Sequence, residues 1–587
     1  MKKREIVTEN IKTEFCVIGG GLAGICAAVA AARRGVKVVL IHDRPVLGGN
    51  SSSEIKMWVR GASIDFPEYR EGGIIEEIAM RNAFYNPEMT YAGWDGVLYG
   101  LVKDEPNVKL FLNTSCCAAE YKKGKILSVT AWQLTSYKKI KVSAEFFADC
   151  SGDGILSYFV PAPFTSGREG KKQYGENLAP DKPDKKTMGN SCLLQARETE
   201  KEITFKAPPF AHKFTDEEFN GRMDLNNPES FKTDNFWWIE LGGEGDVVTE
   251  AESINDRLIS YVYGVWDYIK NSGKFDSAKW ELDWVGFLGA KRESRRYIGD
   301  YVLSQTDLEK PTVFLDEIAY GGWAMDDHDP YGMDTSRPPN RTIALKKPYG
   351  IPYRCLYSRK IKNLFFAGRN ISVTHIALSS SRVMATCSLM GQAAGTACAV
   401  ALERNTDVRG AGKYISVIQR YLRDDDCYLL NTPRIPYPIL TAEGDARFEV
   451  FKSGAERSID GAEYRAEFEK GEEVVLEFAS AHVKKVRFVF DNDVARKFCK
   501  DFNLRMFPLK LHVGKNDKKA EISPDLCKSF QVYVKTGEEW KLFTEVENNY
   551  RRLVYIDINE EVSGVKFVGK QTFGAEKIYL ISFDIIT

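Results

Sequence analysis

Three glycines at the spacing Gly19-x-Gly21-x-x-Gly24 follow directly on an apolar run, TEFCVI, at residues 13–18. The first permits a sharp backbone bend, the second lets the main chain approach a pyrophosphate, and the third lets helix and strand pack closely. Such a turn binds a dinucleotide, with Leu22 and Ala23 opening the helix whose amides face the phosphates. At the end of the next strand the position that usually carries a ribose-binding acid is His42; Asp43 beside it is the ribose candidate, and Arg44 follows.

Three further motifs repeat this chemistry. Leu47-Gly48-Gly49-Asn50-Ser51-Ser52-Ser53 pairs two glycines, which let the backbone pass beside a flat or phosphate-bearing ligand, with serines that can donate hydroxyls or cap a helix. Ser151, Gly152 and Asp153 lie in ADCSGDG (148–154), which ends another strand. Gly368 and Arg369 lie in FAGRN (366–370), followed by Ser379-Ser380-Ser381-Arg382 and Gly391-Gln392-Ala393-Ala394-Gly395.

The elements that must position these motifs follow from periodicity. A helix over 22–34 keeps Ile25, Ala28, Val29 and Ala32 inward, and residues 36–41 read as a buried parallel strand, which completes a strand-turn-helix-strand unit. Residues 108–121, 125–133 and 138–150 alternate apolar and polar, as a small antiparallel insertion would. Residues 161–350 are rich in proline and aromatics, among them Trp237, Trp238, Trp266, Trp280, Trp284 and Trp323, which suits a domain covering a substrate, although most of these rings are also ordinary core material. NLFFAG (363–368) reads as a strand and 381–403 as one long helix. After the proline-bearing NTPRIPYPIL, residues beyond 440 read as short strands: RFEVF, EVVLEFA, KKVRFVFD, KLHVG, SFQVYVKT, RLVYIDI, SGVKFVG and KIYLISFDI, the texture of a β-sandwich or jelly roll that would fold separately.

Composition narrows the class. The 587 residues suffice for two or three domains, and 81 Lys and Arg against 82 Asp and Glu give a net charge of -1, which offers no footprint for nucleic acid. No continuous run of about 18 apolar residues suggests a membrane span, and the charged first dozen residues run straight into the first strand, leaving no room for a signal peptide. A cytoplasmic location is expected. Of the 12 cysteines, Cys16, Cys26, Cys150, Cys387 and Cys398 sit inside apolar patterns, there is no CxxC, and Cys116-Cys117 are adjacent, so no metal or iron-sulfur site is expected.

Taken together, the four motifs resemble the FAD-dependent oxidoreductases of the fumarate reductase and heterodisulfide reductase A-like group. The resemblance is carried by DRPVLGGNSSSEIKMW (43–58), KRESRRYIGDYVL (291–303) and NLFFAGRNISVTHIALSSSRVMATCSLMGQAAGTA (363–397), and covers about residues 10 to 420. It implies an α/β, Rossmann-like FAD-binding domain (1–160 and 351–435) with an inserted substrate domain (161–350), ahead of a C-terminal all-β sandwich (440–587) similar to galactose-binding modules. It also implies that Gly19, Gly21, Leu22, Ala23 and Gly24 bind the pyrophosphate, and that Gly48, Gly49, Asn50, Ser51 and Ser52 approach the flavin end. His42, Asp43 and Arg44, Ser151, Gly152 and Asp153 would border the nucleotide, Gly368 and Arg369 would reach the pyrophosphate and ribityl chain, and Ser381 and Arg382 would face the flavin from a helix start at 379–382, whose amides would stabilise its reduced form. Asn50-Ser51-Ser52-Ser53 stands where relatives with covalent flavin carry a histidine, so noncovalent FAD is expected.

For the substrate side, the six histidines are His42, His212, His328, His375, His482 and His512. His375, between the cofactor segment and the flavin-facing serines, is the first candidate to move a proton; His328, in the acidic loop WAMDDHD, is the second. In Arg292-Glu293-Ser294-Arg295-Arg296 adjacent arginines point to different faces, so only one or two can reach a site while Glu293 ties down another; Arg292 and Arg295 are the candidates, and a buried salt bridge is the equal alternative. The expected activity is hydride transfer between flavin and a small polar molecule, by resemblance a sugar or sugar acid, with the electron partner open. A fumarate reductase-like alkene reductase, or a glycan- or partner-binding protein with a structural flavin, are the alternatives.

Overall fold

The computed structural model describes residues 6–219, 221–437, 447–493, 507 and 520–587. The segment KLHVG, His512 and the expected domain boundary at 440 lie outside the described residues.

The N-terminal unit forms as its pattern requires. Strand β1 (Thr8–Ile18) runs into helix α1 (Leu22–Arg33) and returns as β2 (Val38–Ile41), parallel to β1 with Phe15 opposite Val38 and Ile18 opposite Ile41. β3 (Val108–Phe111) adds to β2 in parallel. The stretch expected as one strand over 108–121 therefore divides, because the chain turns at 112–113 and leaves the sheet as β4 (Thr114–Lys122), which with β5 (Lys125–Gln133) and β6 (Lys138–Asp149) forms the antiparallel insertion. β6 pairs in parallel with β1 on one side and with the strand Leu364–Phe366 on the other, so the ends of these strands meet at the glycine turn.

The helix Met384–Glu403 packs on α1 at very short range. A Cβ at Gly391 would lie 2.0 Å from the Ala23 carbonyl oxygen, and one at Gly395 would lie 2.2 Å from that of Ala27. The glycines of GQAAG thus serve backbone-to-backbone packing rather than a ligand. By length and composition this helix could cross a membrane, but it lies buried in the protein core. The expected helix over 381–403 is also interrupted: a short helix, His375–Ser381, ends at Arg382, and the long one begins at Met384.

Residues 192–333 gather a second hydrophobic cluster around the amphipathic helix Ala251–Asn271, with Trp238, Trp266 and Trp280 inside it. The C-terminal strands form one six-stranded antiparallel sheet, in the order Ala466–Phe468, Ile578–Ile586, Glu473–Phe490, Leu553–Thr572, Cys527–Thr536, Glu539–Val546. EVVLEFA and KKVRFVFD are two parts of one strand, as are RLVYIDI and SGVKFVG, because bulges let long strands bend without ending. RFEVF is not a strand. Phe448–Ser453 is a helix closed by Gly454 at φ +71°, and the rings of Phe448 and Phe451 stack three residues apart on one face.

The sheet, expected to fold separately, makes extensive contact with the rest of the protein. Its hydrophobic core is continuous with that of the first sheet. Buried ion pairs cross the junction: Arg552 to Asp426 at 2.7 Å, Arg423 to Glu456 at 2.9 Å and Arg434 to Asp584 at 3.1 Å. Asn492 also donates to Glu76 at 2.6 Å, which ties the sheet to the helix Ile74–Tyr85. Charges buried in this way must keep their partners, so these pairs hold the sheet against the rest of the chain.

Candidate active site

A cavity of about 770 Å³ runs from the glycine turn to the aromatic-rich middle of the chain. One end is made of main chain. Gly19 takes φ +106°, and a Cβ there would lie 2.3 Å from the Cys150 carbonyl oxygen; a Cβ at Gly24 would lie 1.8 Å from that of Gly19. These two glycines therefore close the turn against its neighbours. At Gly21 a Cβ would meet only Gly49 Cα at 3.9 Å, so the space before this residue is open, and Gly48 and Gly49 hold φ values of +108° and +60° opposite it. An open cradle that a side chain would fill, at the start of a helix, suits a pyrophosphate.

The cavity wall includes Gly19, Gly21, Leu22, Ala23, His42, Asp43, Arg44, Gly48, Gly49, Asn50, Ser151, Gly152, Asp153, Gly368, Arg369 and Arg382. Gly24, Ser51, Ser52 and Ser381 are not on that wall. Ser51 is spent on the turn itself, donating to the Gly48 carbonyl at 2.9 Å and accepting from Trp94 Nε1 at 3.2 Å. His42 supports the turn from beneath: Nδ1 accepts from the Gly20 amide at 3.0 Å and Nε2 donates to the Val46 carbonyl at 2.9 Å. Burial holds its pKa down to about 4, so the ring is neutral, as an acceptor at Nδ1 requires. Asp153 is clamped by Arg369 and Lys291, each at 2.9 Å; burial opposes its ionisation, but the two cations hold its carboxyl well below the usual range.

The expected helix start at 379–382 is a helix end. Thr374 caps the short helix by accepting from the Ala377 amide, and the chain breaks at Arg382, whose Nη2 donates to the backbone oxygen and to Oδ2 of Asp326, both at 3.1 Å. Val383, Met384 and Cys387, at the start of the next helix, line the wall.

The other end of the cavity is made of side chains from separate segments. His328 lies on the wall, with Nδ1 2.7 Å from Glu240 Oε2 and Nε2 3.1 Å from Asp326 Oδ2. The Trp237 ring meets it edge-on at 5.2 Å. Arg292 lies 3.3 Å from the same Glu240 carboxylate and donates to Ser191 Oγ at 2.8 Å and to the Trp237 carbonyl at 3.0 Å. Burial opposes ionisation of Asp326, but His328 and Arg382 outweigh it and hold the acid well below the ordinary carboxylate range. Glu240, Asp326, Trp237 and Trp323 were not singled out as site residues from sequence; the only signal was the density of aromatics and acids around them.

Two expected catalytic residues are elsewhere. His375 is buried away from the cavity wall, with Nδ1 2.8 Å from Glu293 Oε2 and Nε2 3.0 Å from Asp327 Oδ1. Burial disfavours its charge, yet the two carboxylates outweigh burial and push its pKa up to about 10. The ring is thus held off the wall on which the other candidate, His328, lies. Arg295 also leaves the wall; its guanidinium stacks 3.2 Å from the Tyr158 ring centroid and donates to Ser157 Oγ at 3.1 Å. Glu293 does tie down a neighbouring arginine, Arg296, at 2.9 Å. Among the described residues no group of three His, Cys, Asp or Glu is placed to hold a metal ion.

A parallel sheet, a glycine cradle at its strand ends and a long cavity leading to a charged aromatic pocket define a dinucleotide-dependent enzyme class. The family model for FAD dependent oxidoreductases matches residues 14–422, and the chain belongs to that family. It is thus an FAD-dependent oxidoreductase, and FAD is its cofactor. No curated protein sequence matches the chain closely enough to count as a relative. Among solved structures it is similar to a geranylgeranyl bacteriochlorophyll reductase-like protein of Thermoplasma acidophilum (11% identity, 71% of this chain and 86% of that one, TM-score 0.31). It is similar also to p-nitrophenol 4-monooxygenase of Pseudomonas putida (10%, 70% and 86%, 0.30) and to a quinol fumarate reductase of E. coli (13%, 71% and 75%, 0.27). Likeness of this degree carries no argument about the reaction.

Proposed function

We propose that the chain transfers hydride between FAD and a small polar organic substrate, with His328 as the proton carrier. The observation that supports this is the sharing of one cavity by the open cradle at Gly21 and the cluster His328, Asp326, Arg292 and Arg382. FAD, when bound, supplies a centre that accepts or gives a hydride. The residues that would hold it, noncovalently, are Gly19, Gly21, Leu22, Ala23, Gly48, Gly49, Asn50, Gly368 and Arg369, with Asp43 toward the ribose and Arg382 toward the flavin.

The remaining chemistry belongs to side chains. Hydride transfer from a C–H to which a hydroxyl is attached leaves a proton to be removed, and the reverse reaction needs one supplied. His328 can do either at the cavity wall, where Glu240, itself off the wall, fixes the ring through Nδ1. Burial opposes ionisation of Glu240, but the charge of Arg292 3.3 Å away leads the groups that outweigh it and hold the carboxyl below its ordinary range. The sugar or sugar acid suggested by resemblance fits a pocket with both aromatic walls and hydrogen-bonding groups.

The test is anaerobic addition of sugars, sugar acids and hydroxy acids to the yellow protein. Bleaching of the flavin by one of them is expected, and His328→Gln should keep its FAD while bleaching about 10²-fold more slowly. Unchanged bleaching in that variant would remove His328 from the reaction. Binding without bleaching by every candidate would favour a binding protein with a structural flavin.

A further inference from the structure

The cations on the cavity wall differ in one respect. Arg292 faces Glu240, Arg382 faces Asp326, Arg369 and Lys291 share Asp153, and Arg44 lies 3.7 Å from Glu54. Arg60 also lines the wall, yet it has no carboxylate, and its guanidinium has no hydrogen-bond partner among the described residues. The centroid of the Trp58 ring is 4.7 Å away, and Tyr91 lies near enough to act on its charge. The residue is half-buried, and that burial pulls its pKa below the usual arginine range.

Three surroundings show that what is missing is an acceptor. The Arg60 carbonyl receives the Ala385 amide at 3.0 Å, which fixes this residue beside the first turn of the helix Met384–Glu403, the positive end of a long dipole. Trp58 and Trp323, also wall residues, each carry a buried indole N–H without an acceptor among the described residues. Excess donors with an unpaired, planar, two-pronged cation match a carboxylate, which accepts in bidentate geometry. We propose that Arg60 anchors a carboxylate of the substrate, so that the substrate is an organic acid, a sugar acid rather than a neutral sugar. The assignment rests on the proposed oxidoreductase site and narrows what that site accepts.

Calorimetric titration of the FAD-loaded protein with gluconate, malonate, glucitol and inorganic phosphate tests it without requiring turnover. Gluconate or malonate should bind and glucitol should not. Arg60→Gln should weaken acid binding at least about tenfold with FAD retained, and Arg60→Lys should recover part of the loss. Glucitol binding as tightly as gluconate, binding of phosphate in place of the carboxylates, no binding of either acid, or unchanged acid binding in Arg60→Gln would each overturn the proposal. Loss of FAD in both variants would overturn it too, since Arg60 would then be a cofactor contact. Failure of hydride transfer alone, with acids still bound through Arg60, would instead count against the proposed reaction.

Discussion

The two ends of the cavity are built from different materials. At the glycine end the wall is backbone, and its shape depends on what side chains are absent: Gly19 at φ +106°, Gly48 at +108° and an open space before Gly21. At the other end it depends on which side chains are present, brought from 240, 292, 326–328 and 382 by segments far apart in the chain. Main-chain sites announce themselves in a short local motif, whereas a convergent side-chain site has no local spelling. The contrast also predicts that the two ends fail differently when altered.

The largest effect should come from the backbone end. Gly21→Val puts a branched side chain into the space the pyrophosphate needs, and the purified variant should carry no measurable FAD, as read from its absorbance. Appreciable FAD in that variant would dissolve the distinction between the ends. At the side-chain end, His328→Gln should separate occupancy from chemistry, with full FAD content and about 10²-fold slower flavin reduction.

A smaller functional effect is expected from His375, which the structure removes from the wall. His375→Gln removes the cation between Glu293 and Asp327, which keep Arg296 and Arg341 as partners, at a cost on the order of 1–3 kcal/mol of stability. The folded pKa of His375 is raised from 6.5 to about 10, so its contribution is complete below 6.5 and is lost as pH rises through 10. Melting curves should therefore show the gap between wild type and variant closing from pH 6.5 toward about 10, while the folded variant still reduces its flavin. A gap independent of pH would mean the ring is not charged in the native protein.

What was legible in the sequence follows the same division. The strand-turn-helix-strand unit was readable because glycine spacing and apolar periodicity are local, and His42 was recognisable as an oddity because it occupies an acid's usual place. The placing of His375 off the wall was not legible, because nearness in sequence to the Gly368 segment does not say which way a side chain points: residue 293 of the arginine-rich run meets His375 while Arg292 lies on the cavity wall. The helix break at Arg382 was hidden by a run of small residues, and it is made by tertiary bonds from Arg382 to Asp326 and from Ser380 to the Trp323 carbonyl. RFEVF alternates like a strand, but five residues suit one helical turn equally well, and packing chose the helix. The contacts across the junction of the C-terminal sheet were not legible because the arginines that make them, Arg434, Arg487 and Arg552, lie in segments where charge ordinarily marks a solvated surface.

The account stands first on FAD lying noncovalently in the main-chain end of the cavity. Acid precipitation of the purified wild-type protein tests that most directly, by comparing flavin in the supernatant with flavin in the pellet. Release of FAD into the supernatant in amounts equimolar with the protein is the predicted result. A colourless protein, or flavin that stays with the pellet, would contradict it.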